Sequence, residues 1–232
     1  MSPAPIAITT RVERAAVPMK WLRITEIFLS LQGEARTVGC PTVFVRLTGC
    51  PLRCGYCDTA YAFTGGEVQS LDAITAAVIA LGARYVTVTG GEPLAQTECR
   101  SLLTMLCDAR LQVSLETSGA LDISGIDPRV SVVMDLKTPD SGETQRNRWA
   151  NIEHLQPNDQ VKFVICSRGD YEWARYKIDE YQLVERVSDV LFSPVASGLV
   201  PGTLGDWIVA DRLPVRFQLQ LHKVLWGDVP GR

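Results

Sequence analysis

The stretch Cys50-Pro51-Leu52-Arg53-Cys54-Gly55-Tyr56-Cys57 places three thiols within eight residues of a 232-residue chain. A compact loop with this spacing can bring three thiolates to one face of an iron–sulfur cubane. A cluster that only transfers electrons normally takes four cysteines, so three ligands leave one iron open for a cofactor or a substrate. The spacing therefore indicates a 4Fe-4S cluster on Cys50, Cys54 and Cys57.

A zinc-stabilised binding module is the alternative interpretation of the same loop. Structural zinc closes four ligands, so Cys40 or a distant histidine would have to complete the set. The chain contains only His154 and His222, and no second two-cysteine knuckle accompanies the loop. A zinc protein would be colourless, whereas a 4Fe-4S protein is brown.

The composition limits the remaining classes of function. With 46% apolar residues the chain can bury the core of one domain, and its formal charge of −3 does not favour a nucleic-acid partner. No stretch approaches the roughly 18 apolar residues of a membrane span, and no signal peptide is indicated. Seven cysteines favour metal binding in a reducing compartment over disulfides. We therefore expect a cytoplasmic protein with a small-molecule substrate.

The rest of the chain predicts one α/β domain. Residues 1–18 contain three prolines and no sustained period, so a flexible extension is expected there and a single domain over 19–232. Helical segments alternate with β-rich runs, which predicts parallel strands joined by right-handed crossovers. About six such strands indicate an incomplete (βα)6 TIM-like barrel, whose functional groups gather at the carboxyl ends of the strands. The predicted strands are 22–29, 42–47, 85–89, 112–116, 130–136, 161–165, 190–192 and 215–221, and the predicted helices are 71–81, 94–109 and 171–184.

A second motif, Thr89-Gly90-Gly91-Glu92-Pro93, follows one of the predicted strands. Its glycines allow backbone to approach a ligand and its carboxylate could hold an ammonium group, although a turn alone would also explain it. Together with the cysteine loop, in which Tyr56 precedes the last cysteine, it resembles the GGEP segment of the radical S-adenosylmethionine enzymes. The resemblance implies that the open iron chelates S-adenosylmethionine and that reduction of the cluster cleaves this cofactor to a radical.

The segment before the cysteine loop helps to distinguish between families of radical S-adenosylmethionine enzymes. In Ser30-Leu31-Gln32-Gly33-Glu34 an amide and a carboxylate flank a glycine at a strand end, and they could read the edge of a heterocycle. Taken alone, a solvated strand end is the simpler interpretation. The segment and four further motifs resemble the 7-carboxy-7-deazaguanine synthase family over about Ile24 to Lys223. These motifs are Arg46, Asp58-Thr59, Glu116-Thr117-Ser118-Gly119 and Gln220-Leu221-His222-Lys223.

This resemblance implies a ring-contracting carbon–nitrogen lyase of queuosine biosynthesis. The family converts 6-carboxy-5,6,7,8-tetrahydropterin into 7-carboxy-7-deazaguanine with loss of ammonia. The implied partners are a second copy of the chain in a homodimer and an electron donor such as flavodoxin. The chain departs from the family at Ala35, where a glycine is usual, and at Asp135-Leu136-Lys137, where Ser-Pro-Lys is usual.

The resemblance also assigns site residues. The residues expected at S-adenosylmethionine are Tyr56, Cys57, Asp58, Gly91, Glu92, Ser118, Asp135, Leu136, Lys137, Ser193 and Pro194. The residues expected at the substrate are Leu31, Gln32, Gly33, Glu34, Arg46, Thr89 and His222, with His222 in the last predicted strand. The planar fork of Arg46 suits a carboxylate, and the hydroxyl of Thr59 would ligate Mg²⁺ beside it.

One further enzyme class shares the cysteine spacing and the partial barrel. A radical activase installs a glycyl radical on a partner protein, and it would need an exposed groove for a peptide. The lyase interpretation instead requires Gln32, Arg46 and His222 to converge on one polar pocket.

Overall fold

The computed structural model describes residues 20–196, 198–227, 229 and 231. The extension predicted over residues 1–18 lies outside this part of the chain, so its boundary stays a prediction. No helix among the described residues is long and apolar enough to cross a membrane.

The described residues contain nine strands and six α-helices. The strands are β1 (Trp21–Leu31), β2 (Pro41–Leu47), β3 (Glu67–Ser70), β4 (Tyr85–Gly90), β5 (Gln112–Thr117), β6 (Ser131–Asp135), β7 (Gln160–Ile165), β8 (Asp189–Pro194) and β9 (Arg216–Phe217). The α-helices are α1 (Leu71–Ala80), α2 (Cys99–Asp108), α3 (Arg168–Tyr181), α4 (Leu183–Arg186), α5 (Pro201–Asp211) and α6 (Leu221–Trp226). Short 3-10 helices occupy Ala60–Phe63, Pro93–Ala95, Pro139–Ser141, Thr144–Arg146 and Trp149–His154.

All nine strands form one open sheet in the order β3-β1-β2-β4-β5-β6-β7-β8-β9. The strands from β2 to β9 in this order run parallel, as the alternation of strands and helices predicted. β1 is antiparallel to both β2 and β3, which the sequence did not indicate. Because β3 and β9 form two separate edges, the sheet is an incomplete barrel.

The core lies between one face of this sheet and the helices. In β2, for example, Val43, Val45 and Leu47 are fully buried against the helices. One apolar cluster joins β1, β2, β4 and β5 to α1 and α2, and a second joins β6, β7 and β8 to α3 and α5. Two helices begin at serine caps: the hydroxyl of Ser70 accepts a hydrogen bond from the Ala73 amide at 3.2 Å, and that of Ser167 accepts one from the Asp170 amide at 3.3 Å. The opposite face of the sheet is therefore free to carry chemistry.

The prediction of a final strand over 215–221 is wrong for most of its length. β9 has two residues, and α6 begins at Leu221, so His222 lies on a helix. The Leu221 amide donates to the Gly33 carbonyl at 3.0 Å, a long-range contact that fixes where this helix starts. A sequence pattern of seven residues cannot reveal such a contact.

Two predicted helices are divided. Residues 94–109 contain the end of a 3-10 helix and then α2, because Gln96 is extended and its side-chain amide hydrogen-bonds the backbone of Arg23 and Thr48. Residues 171–184 span α3 and the start of α4, which are separated by Gln182 in the left-handed conformation (φ 50°). The connection between β5 and β6 contains no helix among its described residues.

Candidate active site

Alternate residues of successive strands build the polar inner face of the sheet. Phe44 and Arg46 of β2, Thr89 of β4 and Glu116 of β5 face one side. The residues just before them are buried in the apolar core on the helix side, namely Val43, Val45, Val88 and Leu115. This is the two-residue period of a strand repeated across parallel neighbours. The same alternation continues through Val133 and Asp135, Lys162 and Val164, and Ser193.

These side chains line one cavity of about 610 Å³ at the carboxyl ends of the strands. The cysteine loop closes one side of the cavity and α6 closes another. A volume of about 300–1,000 Å³ is typical of sites for cofactor-sized ligands. The structure brings together all the predicted site residues except Glu92 and Leu136, whose side chains are fully buried outside the lining.

The cysteine loop connects β2 to the 3-10 helix Ala60–Phe63 and is held by backbone contacts. The Gly55 amide donates to the Ser141 carbonyl at 3.0 Å, and the Glu92 amide donates to the Gly49 carbonyl at 2.8 Å. A side chain could not replace Gly91, because a Cβ there would lie 2.2 Å from the Gly49 carbonyl oxygen. The loop and the GGEP segment are therefore packed directly against each other.

Cys50, Cys54 and Cys57 are partly buried and line the cavity. Burial raises the pKa of the Cys50 and Cys54 thiols, and the neighbouring Cys57 raises it further, so a positively charged centre is needed to hold Cys50 and Cys54 as thiolates. In the described part of the chain, no three or more His, Cys, Asp and Glu side chains converge on a point that suits a single metal ion. A cubane distributes its thiolates over different irons and does not require such convergence.

A zinc site completed by Cys40 does not fit this geometry. Cys40 precedes β2 and Cys50 follows it, so a seven-residue strand separates them. At a rise of about 3.3 Å per residue, this strand alone spans roughly 20 Å of backbone between the two cysteines.

The part of the cavity beside the cysteines offers polar atoms to a cofactor. The Tyr56 hydroxyl, one carboxylate oxygen of Asp135 and the Ser193 hydroxyl are buried without a hydrogen-bond partner among the described residues. Buried polar atoms are costly unless paired, so these three fit a ligand rich in donors and acceptors, such as S-adenosylmethionine. Burial raises the pKa of the Tyr56 phenol, which keeps it a hydrogen-bond donor.

Lys137 sets the charge of this part of the site. Its ammonium lies 2.9 Å from Asp135 and 5.9 Å from the centre of the Tyr56 ring. Burial alone would lower the pKa of Lys137, but Asp135 and Cys54 outweigh burial and raise it, so the ammonium stays charged. Asn147 clamps the Lys137 backbone through hydrogen bonds of 2.9 and 2.8 Å.

Glu92 supports the site from behind and does not line it. Its carboxylate accepts hydrogen bonds from the Thr117 hydroxyl at 2.9 Å, the Ser118 amide at 2.7 Å and the Ser118 hydroxyl at 2.5 Å. The carboxylate therefore ties the GGEP segment to the end of β5. This geometry leaves it no free edge for an ammonium group of a ligand.

The opposite part of the cavity contains an ion pair between Glu34 and Lys162, of which each side chain is only about one-eighth exposed (13% and 12%). Burial would raise the pKa of Glu34, but Lys162 and a 2.7 Å hydrogen bond from Gln220 outweigh burial and lower it. Glu116 behaves in the opposite way, because burial and the nearby Glu34 raise its pKa. This region thus holds two acidic groups of different proton affinity.

Gln32 joins these groups into one network. Its amide nitrogen donates to the Thr87 hydroxyl at 2.9 Å and to Glu116 at 3.2 Å, and its amide oxygen accepts from the Glu34 backbone at 3.2 Å. The Thr89 hydroxyl donates to the other oxygen of Glu116 at 3.0 Å. The network fixes the orientation of polar groups that could read the edge of a heterocycle.

His222 packs against Gly33, where a Cβ would lie 2.1 Å from its Nδ1 atom. Burial lowers the pKa of His222, although Glu34 and Asp58 partly oppose this effect, so the imidazole is neutral at pH 7. Lys223, the next residue of α6, pairs with Asp58 at 3.0 Å and so ties this helix to the cysteine loop. Although burial would raise the pKa of Asp58, the contact with Lys223 lowers it.

The sequence analysis missed several polar cavity residues as site residues, among them Lys162, Glu116 and Gln220. Lys162 was not singled out, and Glu116 and Gln220 entered only as members of a motif. A signal for the first two was present, because both are polar residues at alternate positions of otherwise apolar strands that end at the same sheet edge. Gln220 follows no periodic pattern, and only the contact between α6 and Glu34 reveals it.

Comparison with known proteins agrees with this geometry. The family model of the Radical SAM superfamily matches residues 44–176, more than half of the chain. A 7-carboxy-7-deazaguanine synthase of Chlorobaculum tepidum is 44% identical over 210 residues, which cover 89% of this chain and 94% of that protein. A 7-carboxy-7-deazaguanine synthase of Koribacter versatilis is 41% identical over 219 residues, covering 88% and 97%. The crystal structure of QueE from Escherichia coli shares the fold, with a TM-score of 0.72 at 22% identity over 87% of this chain and 95% of that one.

Proposed function

Because the chain belongs to the 7-carboxy-7-deazaguanine synthase family of the Radical SAM superfamily, we propose that it makes 7-carboxy-7-deazaguanine in the cavity described above. The reaction is the ring contraction of 6-carboxy-5,6,7,8-tetrahydropterin with release of ammonia. The observation that supports this proposal best is that the three-cysteine loop and the network of Gln32, Glu34 and Glu116 line the same cavity.

The chain's own residues would bind the two ligands at opposite parts of the cavity. Cys50, Cys54 and Cys57 would hold the 4Fe-4S cluster, which together with S-adenosylmethionine supplies, when bound, the radical that removes hydrogen from C6 of the pterin. Tyr56 and Asp135 would hydrogen-bond S-adenosylmethionine. The arrangement would place cofactor and substrate in the same cavity, as a hydrogen transfer requires.

In the substrate part, each polar group has a role that follows from its charge. The carboxylates of Glu34 and Glu116 can accept hydrogen bonds from ring N–H groups. Gln32 holds the Glu116 carboxylate in place and also accepts a hydrogen bond from the Glu34 backbone amide. The guanidinium of Arg46 would pair with the substrate carboxylate. Neutral His222 can donate or accept one hydrogen bond at the pterin without adding charge to the pocket.

Thr59 is proposed to ligate Mg²⁺ beside the substrate carboxylate. Thr59 lines the cavity, and its hydroxyl lies 3.8 Å from the Cys57 sulfur. This contact is weak and leaves the hydroxyl oxygen able to bind a metal ion. Magnesium prefers oxygen ligands and keeps several waters, so one protein hydroxyl together with a substrate carboxylate is a sufficient donor set. The metal would neutralise and orient the carboxylate during the rearrangement.

The activase interpretation is less favoured by the geometry. Gln32, which follows β1, lines the same cavity as Arg46 of β2 and His222 of α6. This is the arrangement that the lyase interpretation requires. A homodimer, a flavodoxin-type electron donor and a cytoplasmic location remain expectations that come from the family and the cysteine content.

Anaerobic reconstitution followed by a product assay tests the proposal. The reconstituted protein should be brown with about four irons per chain. With carboxytetrahydropterin, S-adenosylmethionine, reductant and Mg²⁺ it should form 7-carboxy-7-deazaguanine, detected by mass spectrometry. The Cys54→Ser variant should lose both cluster and product, whereas Thr59→Val should keep the cluster and show a weaker response to Mg²⁺. A fully loaded protein that forms no deazapurine would overturn the proposal.

A further inference from the structure

A row of polar side chains crosses the inner face of the sheet near the carboxyl end of β2. In the strand register, Glu26 of β1 lies directly opposite Arg46, and Arg46 lies opposite Thr89 of β4. Directly paired residues of neighbouring strands share a face, so Glu26 lies beside the cavity although it does not line it. Arg46 is the central member of this row and does line the cavity.

One carboxylate oxygen organises the whole group. Oε1 of Glu26 accepts a hydrogen bond from Nε of Arg46 at 2.7 Å and another from the Tyr61 hydroxyl at 2.8 Å. The guanidinium also lies 5.8 Å from the centre of the Tyr61 ring and 5.9 Å from that of Phe28. Only 13% of the Arg46 side chain is exposed. The guanidinium is thus held along its Nε edge and between two aromatic rings.

The other edge of the guanidinium remains available for a ligand. In the part of the chain that the structure describes, no protein group accepts a hydrogen bond from either terminal nitrogen of Arg46. Two parallel N–H donors are what a carboxylate accepts in a bidentate pair. A flexible arginine would lose rotamer entropy on binding, and the contacts with Glu26 and Tyr61 remove most of that freedom in advance.

We propose that Glu26 and Tyr61 are positioning residues that fix Arg46 for the substrate carboxylate, and that preference for a carboxylated pterin depends on them. The inference rests on the proposed function.

The position of Tyr61 links this group to the cysteine loop. Tyr61 lies in the 3-10 helix that follows Thr59, and this helix is anchored by a 2.8 Å hydrogen bond from the Gly49 amide to the Ala62 carbonyl. Arg46 is therefore held by a residue whose own place depends on the loop that carries the cluster.

Binding measurements on the reconstituted protein with S-adenosylmethionine test the proposal without requiring turnover. The two probes are 6-carboxytetrahydropterin and a tetrahydropterin lacking the carboxylate, each measured by anaerobic equilibrium dialysis. Glu26→Ala should weaken binding of the carboxylated pterin about tenfold or more, since truncation frees the arginine, and leave the other pterin unchanged. Glu26→Gln keeps an acceptor oxygen and should stay within about threefold of wild type, and Tyr61→Phe should lose about two- to fivefold.

Matched controls separate positioning from folding. Glu153→Ala and Tyr176→Phe remove the same groups at exposed sites and should bind both pterins as wild type does. Iron content identifies a misfolded variant, and Tyr61→Phe then still tests the proposal because it removes one oxygen atom only.

Two results would overturn the inference in different ways. If the wild type forms deazapurine and Glu26→Ala binds the carboxylated pterin normally, or weakens both pterins equally, the positioning role is refuted while the proposed function stands. If the wild type binds neither pterin, the proposed function fails and this inference fails with it.

Discussion

The two faces of the sheet are made from neighbouring residues of the same strands, yet they differ in almost every property. In β5, Leu115 is fully buried in the apolar core, while the next residue, Glu116, lies in the cavity in a network of hydrogen bonds. In β7, Phe163 packs among aromatic rings, and Lys162 pairs with Glu34 in the cavity. The outer face follows the rules of a hydrophobic core, and the inner face concentrates buried charge.

Residues that stabilise the core and residues that line the active site are therefore immediate neighbours in the sequence. Apolar residues on the outer face contribute burial, which depends on area and packing. Charged residues on the inner face are stable only because each has a specific partner. A substitution on the outer face should therefore lower stability and leave activity unchanged, whereas one on the inner face should lower activity and change stability little. Buried ion pairs of the inner face are the exception, because their loss lowers both.

The largest effect should come from Lys162→Met, because this inner-face residue contributes to stability as well as to the active site. The substitution leaves the Glu34 carboxylate buried without its cation, a change that typically costs about 3–5 kcal/mol, and it should also abolish pterin binding. The melting temperature of the reconstituted protein should fall by about 10 °C. The double variant Glu34→Gln/Lys162→Met should recover most of this loss and remain inactive. A single variant as stable as wild type would show that the pair is not buried as the structure has it.

A comparison of Leu115→Ala with Glu116→Gln tests the contrast directly on adjacent residues. Leu115→Ala leaves a cavity in the core and should lower the free energy of unfolding by about 2–5 kcal/mol, with kcat unchanged at a temperature where the protein is folded. Glu116→Gln should change stability by less than about 1 kcal/mol and reduce kcat/KM at least about tenfold. Thermal unfolding and steady-state kinetics measure the two effects. The separation of the faces is refuted if both variants lose stability and activity in the same proportion.

The smallest effect concerns pH and the neutral His222. Its folded-state pKa is lowered by burial, so it contributes stability above its unfolded pKa of about 6.5 and this contribution is lost as pH falls through the folded pKa. Between pH 7 and pH 5 the melting temperature of the wild type should fall further than that of His222→Gln. The difference between the two decreases should be no more than about 3 °C. His154→Gln, at an exposed histidine, should follow the wild type. Equal slopes for wild type and His222→Gln would contradict the burial of this imidazole.

Much of the fold and the centre of the site follow from local sequence. The short-range signals are the three cysteines of one loop, the glycines that allow close backbone approach, and the periodic spacing of apolar residues in strands and helices. These signals predicted the parallel sheet and the edge that carries the site. The polar residues Lys162 and Glu116 also follow a local alternation, although nothing in one strand alone says which polar residue faces a cavity.

The remaining features depend on contacts between distant parts of the chain. β3 pairs with β1 across more than forty residues, and α6 begins where its first amide meets Gly33. The orientation of Glu92 is set by Thr117 and Ser118, so its sequence motif could not show that the carboxylate points away from the cavity. Glu26 and Tyr61 acquire a role only through Arg46, which no spacing along the chain indicates.

The central claim is that one cavity holds cofactor and substrate close enough for direct hydrogen transfer. The most direct test uses 6-carboxytetrahydropterin deuterated at C6 with the reconstituted protein, S-adenosylmethionine, reductant and Mg²⁺. Deuterium should appear in the S-adenosylmethionine recovered after turnover, because the adenosyl carbon that takes deuterium from C6 would return one of its own hydrogens to the product radical before the cofactor re-forms. Formation of deazapurine with no deuterium in the recovered cofactor would contradict the placement of both ligands in this cavity.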